Sequence, residues 1–244
     1  MEVHAHTHTA RKKLTHYLWE FIMLFLAVFC GFLAENFREH QVEHQREKQY
    51  MQSLVEDLEV DTVSLSATIL ARQKREMISD SLINLLSSSA IKENGNTIYY
   101  YGRIISPPIS FFPDDRTIQQ LKSTGSLRLI SNVQVSNSIM AYDRKMRQQI
   151  FEYTDEQQLR SEYRQIADKV FNGKVFNEMI NRSIIDKPVN NPPLFTSDAA
   201  LINEYITEVQ YLRKVDQTQT MRSQELLVQA TALIALTKKE YHLK

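Results

Sequence analysis

Phe21 to Ala34 reads FIMLFLAVFCGFLA, fourteen residues without a charge, and Tyr17, Leu18 and Trp19 extend the run toward the N-terminus across Glu20. At 1.5 Å per residue, a helix from Tyr17 to Ala34 rises about 27 Å, close to the roughly 30 Å hydrocarbon core of a bilayer. The stretch therefore predicts a single membrane-spanning anchor over residues 14–36, with Tyr17, Trp19, Glu20, Phe21 and Ala34 as its marker residues. Tyr17 and Trp19 suit an interfacial aromatic belt, and Arg11, Lys12 and Lys13 flank it, which predicts a cytoplasmic N-terminus. A cleaved signal peptide has the same layout, but Phe32-Leu33-Ala34 sets a bulky Phe where a small residue is required. Phe29 before Cys30 likewise spoils a lipoprotein site. Glu20 reads as an interfacial carboxylate, hydrated or paired with His16, with helix pairing inside the membrane as the sharper alternative. A pilin-type role lacks its Gly-Phe processing site. Cys30 is the only cysteine, so no intramolecular disulfide forms, and it reads as a small hydrophobe.

Outward from the anchor, no Gly or Pro occurs between Phe32 and Gly95, so the helix is expected to continue. Residues 37–50 are almost devoid of apolar side chains and read as a charged helical stalk. Met51, Val55, Leu58, Leu65 and Ile69, with Thr62, then form an amphipathic stripe that Ile78, Leu82, Leu85 and Leu86 resume. Average usage would place about 17 glycines in a chain this long, whereas it has 5, with 6 prolines. Turn-rich all-β folds, P-loops and GxGxxG turns are thereby excluded. Twenty-nine Lys+Arg against 29 Asp+Glu leave no net field for a polyanion, so nucleic acid is not an expected partner.

Asn94-Gly95 is a turn signal, and Thr97 to Ile105, TIYYYGRII, is rich in β-branched and aromatic residues, predicting a short strand or extended lid within an irregular insertion at 92–113. Asp114 is positioned to cap a short helix that Gly125 ends in a left-handed conformation. Ser131 with Gln134 reads as a capping box opening a helix of about forty residues, whose stripe includes Val135, Ile139, Tyr142, Met146, Ile150, Tyr153, Tyr163 and Val170. A Pro/Asn-rich linker follows at 183–196, and Thr196 or Ser197 caps a final helix carrying Ile202, Tyr205, Val209 and Leu212. Its stretch Leu226 to Leu236, apolar nearly all round, is too short to span a bilayer and reads as buried core. The fold class expected is mainly α: an N-terminal transmembrane helix continuing into a long-helix antiparallel bundle over 51–244, with a short irregular or β insertion.

Chemistry-bearing patterns are sparse. His40-Gln41-Val42-Glu43-His44 matches H-x-x-E-H, in which two histidines hold zinc and a glutamate acts as base. It lies on a polar stalk without the third ligand or cavity a catalytic centre needs, so His40, Glu43 and His44 read chiefly as a solvated face and only weakly as metal ligands. His4, His6 and His8 belong to a flexible tail over 1–13. Tyr99 to Tyr101 with Phe111 and Phe112 suit either a contact surface or a plug for the bundle. Glu56, Asp57, Glu59 and Asp61 read as a solvated acidic face. No catalytic constellation and no cofactor motif is present in the sequence, which points away from an enzyme.

Two stretches, REKQYMQSLVEDLEVDT from Arg46 to Thr62 and RTIQQLKSTGSLRLISN from Arg116 to Asn132, with Ile139 and Tyr142 after the second, resemble a family of single-pass membrane proteins of Gram-negative bacteria whose function is unknown. The likeness covers Tyr17 to Tyr142, about half the chain, and does not extend to the His-rich tail or to TIYYYGRII. It implies an inner-membrane location with the bundle in the periplasm, and it assigns no activity. The expected role is a membrane-anchored interaction or scaffold protein whose partners are the lipid bilayer and a protein or a second copy, with no evident small-molecule substrate. A periplasmic ligand-binding or sensor-like helical domain is the alternative, and a zinc-dependent hydrolase the remote one.

Overall fold

The computed structural model describes residues 14–182 and 184–243; the His-rich tail and the basic flank at Arg11 to Lys13 lie outside them. The elements run α1 (Leu14–Leu86), α2 (Gly95–Ile105), α3 (Arg116–Ser123), α4 (Val133–Val170), α5 (Gly173–Glu178), β1 (Ile180–Asn181), β2 (Ile184–Ile185) and α6 (Ala199–Tyr241). The chain divides into two units, residues 1–49 and 50–244, with α1 continuous from one into the other.

In the first unit the apolar run is helical and its large side chains, including Tyr17, Trp19, Phe21, Leu24, Val28 and Phe32, are exposed. Phe21, Phe25 and Phe29 stack at four-residue steps along one side, with ring centroids 6.4 and 5.9 Å apart. His16 Nε2 lies 3.1 Å from Glu20 Oε1, the pairing expected from their spacing.

In the second unit three long helices pack together. Asp61 meets Tyr142 and Arg72 meets Glu156, so α1 and α4 run in the same direction. Lys145 meets Glu225, Gln149 meets Ser223 and Tyr163 meets Tyr205, so α6 runs against both. The expected antiparallel bundle thus holds for α6 but not for the pair α1 and α4. The parallel pair arises because the intervening residues, with α2 and α3, carry the chain back along the bundle before α4 begins.

TIYYYGRII forms α2 and not a strand. Ile98, Tyr99, Gly102 and Ile105 are its buried positions, a helical period that outweighs the β propensity of the individual residues. Gly95 does not turn the chain but opens this helix. The only strands among the described residues are β1 and β2, an antiparallel pair of two residues each, joined through Arg182 at a left-handed φ of 56°. Gly125, at φ 67°, follows α3 as expected. Asp115, rather than Asp114, stands at the N-terminal boundary of α3. Asn132, not Ser131, caps α4, its side chain accepting from Val135 N at 3.1 Å. Asp198, not Thr196 or Ser197, caps α6 by accepting from Ala200 N at 2.9 Å.

Two apolar cores result. One gathers Met51 to Leu65 of α1, Val135 to Met146 of α4 and Leu226 to Leu233 of α6. The other gathers Leu82, Leu86, α2, Tyr163 to Val170 and Tyr205 to Leu212. Leu226 to Leu236 contributes one face only, since Val228 is exposed.

Candidate functional site

Between the two cores the apolar stripes stop on all three long helices at the same level. Ile150 and Tyr153, expected in the stripe of α4, are not in the core: Ile150 is exposed, and Gln149, Glu156 and Arg160 take the inward positions. Arg72 and Arg75 come from α1, Glu156 and Arg160 from α4, and Asp216 from α6. All five residues are 3% exposed or less.

Asp216 accepts from Arg72 Nη1 at 2.9 Å and from Arg75 Nε at 2.7 Å, with Arg160 Nη2 at 3.5 Å. Glu156 accepts from Arg72 Nη2 at 2.9 Å and from Arg160 Nε at 2.8 Å. Further guanidinium hydrogens hold the end of α2 and the connection after it: Arg160 donates to Ile105 O at 2.7 Å, Arg75 to Pro107 O at 2.6 Å, and Arg72 to Ile109 O. Planar, five-donor guanidiniums serve two carboxylates and a backbone segment at once, which an ammonium does not. Three cations against two anions leave this layer with one uncompensated positive charge.

Burial alone pushes the Glu156 carboxyl up, and the Arg72 and Arg160 guanidiniums more than reverse it, holding it below 4.5. Burial and the neighbouring Arg75 lower Arg160, against the pull of Glu156 and Asp216. Asp143 follows the same pattern as Glu156: burial pushes it up, and Arg147 and Lys122 bring it below 3.8.

A second buried polar cluster corrects the acidic-face expectation. Glu56 and Glu59 are exposed, but Asp57 and Asp61 are buried. Asp57 accepts from Thr117 N at 3.0 Å, from Thr117 Oγ1 at 2.7 Å and from Arg116 Nη2 at 2.5 Å. Asp61 accepts from Asp114 N at 2.7 Å and from the Tyr142 hydroxyl at 2.6 Å. Burial raises the Asp61 carboxyl above 3.8 despite those two donors.

These shifts set an expectation for acid. Glu156 and Asp143 are more acidic folded than unfolded, so their stabilisation is complete above the unfolded values and is lost as pH falls through the folded ones. Asp61 has the opposite sign, its unfavourable contribution vanishing on acidification. Glu225 is lowered as well, by Lys145, and Glu208 is raised by burial. With three groups against two, the melting temperature is expected to fall below pH 4.5, and Glu156→Gln to flatten part of that fall in circular-dichroism melts between pH 3 and 6.

Tyr99 is buried, donating to Pro193 O at 3.0 Å and accepting from Asn172 N at 2.9 Å, so it closes the second core. Tyr100 and Tyr101 line a groove of about 460 Å³ with Lys74 and Arg75. Phe111 is buried and lines a smaller pocket beside Arg72, whereas Phe112 is exposed. His40 is exposed, Glu43 is partly buried, and His44 Nδ1 lies 3.6 Å from Glu47 Oε2. Among the described residues no group of three His, Cys, Asp or Glu is placed to hold a metal ion. The sequence reading missed the arginine layer entirely; its signal was charged residues at inward helical positions, in the gaps between apolar runs. No family model, no curated protein and no solved structure matches the chain.

Proposed function

We propose that this chain is a membrane-tethered helical interaction module, anchored by Tyr17 to Ala34 and pairing with a second copy of itself through α1. Apolar surface left uncovered on α1 carries this reading. The run from Tyr17 to Ala34 has its large apolar side chains exposed with the exception of a half-buried Ile22, as a helix solvated by lipid requires. Within residues 50–244, α1 carries a second apolar stripe away from the core: Val60, Val63, Ala67, Leu70 and Met77, with Lys74 in the same row. Steps of three and four residues give a 3.5-residue period, the pattern by which helices supercoil around one another. Tethered copies share a membrane plane, which removes much of the entropic cost of meeting in parallel. The module belongs in the inner membrane, with a cytoplasmic N-terminus and residues 50–244 in the periplasm, the basic flank and the family resemblance both pointing that way. It performs no catalysis in this reading.

The test uses the full chain in native membranes. The protein is expected in the carbonate-resistant pellet, and recovery in the supernatant would remove the tether. In a Cys30→Ala background, Val63→Cys is expected to give a disulfide-linked dimer on mild oxidation, and adding Leu70→Glu is expected to abolish it. Crosslinking through Val228→Cys on α6 in place of Val63→Cys would overturn the pairing face.

A further inference from the structure

The charged layer borders a pocket of about 110 Å³ lined by Arg72, Phe111, Gln149, Ile150, Tyr153 and Gln219, among others. Two of these side chains are more than nine-tenths buried and each keeps a polar atom without a partner: Arg72 Nε and Gln149 Oε1. Buried polar atoms without partners are uncommon, and a pair on side chains that line the same pocket is a signal of something that completes them. The Gln149 amide donates through Nε2 to Ser223 Oγ at 2.7 Å. Turned by half a rotation, the same amide accepts from that hydroxyl and frees an N–H, because the two ends of an amide are interchangeable in shape. Arg72 Nε–H and Gln149 Nε2–H are then two donors without acceptors.

Charge points the same way. Arg72, Arg75 and Arg160 face only Glu156 and Asp216. Of the nearby carboxylates, Glu152 lies against Arg222 and Glu76 accepts from Gln217 Nε2 at 2.5 Å; among the described residues neither pairs with the three guanidiniums. The backbone oxygens of Ile105, Pro107 and Ile109 contribute partial charges only. A buried cation without its counter-ion is costly, so an anion entering beside Arg72 is favoured. Apart from Ser110 and Gln219 the rest of the lining is apolar or aromatic, and Phe111, Ile150 and Tyr153 suit a short hydrocarbon tail. An engineered apolar cavity of about 150 Å³ holds benzene, so this one suits an acid of about four to six heavy atoms.

We infer that the pocket beside Arg72 and Gln149 binds a small aliphatic monocarboxylate, its carboxylate supplying the missing anion and its tail lying against Phe111 and Ile150. The site does not depend on the tether or on pairing through α1, and either of those can fail without affecting it.

The probe is sodium butyrate, titrated into the full chain in detergent at constant ionic strength, with butyramide as the uncharged isostere. Butyrate at about ten times Kd is expected to raise the melting temperature by about 3–6 °C, and butyramide to leave it unchanged. Ile150 is exposed, so Ile150→Trp is accommodated at the mouth and fills the pocket. This variant is expected to melt as the parent does without ligand and to weaken butyrate binding at least tenfold by isothermal titration. If it melts lower, Gln149→Met is read instead; it keeps the volume, removes the amide and carries the same expected tenfold loss. The proposal is overturned if butyrate acts no differently from sodium chloride, in which case the pocket holds water only. An equal response to butyramide, or binding that survives the variant read, overturns it as well.

Discussion

Asp216→Asn is expected to lower the stability of residues 50–244 by about 3–5 kcal/mol, the usual cost of removing one partner from a buried ionic cluster. Asp216 is the carboxylate on which Arg72, Arg75 and Arg160 all converge. Without its charge, three guanidiniums face Glu156 alone, and the unmatched positive charge in the layer doubles. For a unit of this size the melting temperature drops by about 6–20 °C. Arg160→Met is the instructive contrast. It leaves two cations and two anions, so its main penalty is the orphaned Ile105 carbonyl, about 1–3 kcal/mol. Thermal melts of both variants in detergent check the order. An Arg160→Met variant less stable than Asp216→Asn would show that packing, not charge balance, sets the energetics of the layer.

Gly95→Ala is expected to be the most disruptive single methyl group in the chain. A Cβ built there falls 2.0 Å from the Pro192 carbonyl oxygen and 3.3 Å from Asn191 C, and both obstacles are backbone. The segment at 191–193 must move, and its attachments move with it. Asn96 N donates to Asn191 Oδ1 at 3.2 Å, Asn191 Nδ2 donates to Lys92 O at 2.6 Å, and Tyr99 donates to Pro193 O. Overpacking costs about 1–3 kcal/mol, and each of the three broken hydrogen bonds adds about 1, so a loss of about 4–6 kcal/mol is expected. Hydrogen exchange of the full chain should localise it, with protection lost across α2, whose Asn96 amide binds Asn191, but kept in the core of Met51, Leu54 and Tyr142. Gly173→Ala, where a Cβ meets nothing within 4 Å, is the matched control and is expected to be near neutral.

The long helices were legible because their inward residues repeat at three and four steps with no Gly or Pro to stop them, and α4 and α6 appear close to where that period places them. Caps were read to within one or two residues, since neighbouring Ser, Asn, Asp and Thr side chains all suit the role and only geometry selects one. TIYYYGRII was misread because its residue types favour strands, although Ile98, Gly102 and Ile105 already kept a helical period. Asp57 and Asp61 looked solvated because a sequence does not show that Thr117, Arg116, Asp114 and Tyr142 arrive from distant positions to satisfy them. The arginine layer left only a faint trace, charged residues at inward positions, and its partners were hidden for the same reason. Its members are separated by 84 positions between Arg72 and Glu156 and by 144 between Arg72 and Asp216, and each alone resembles an ordinary surface charge.

That layer also fixes alignment along the bundle axis. Leucines and valines tolerate sliding, because one apolar turn packs against another nearly as well as its neighbour does. Guanidiniums and carboxylates do not: a one-turn slip of α6 carries Asp216 about 5.4 Å past its donors and leaves ions facing hydrocarbon. The charged belt therefore works as a vernier mark between two oily halves, admitting one longitudinal setting of the three rods and rejecting the adjacent ones.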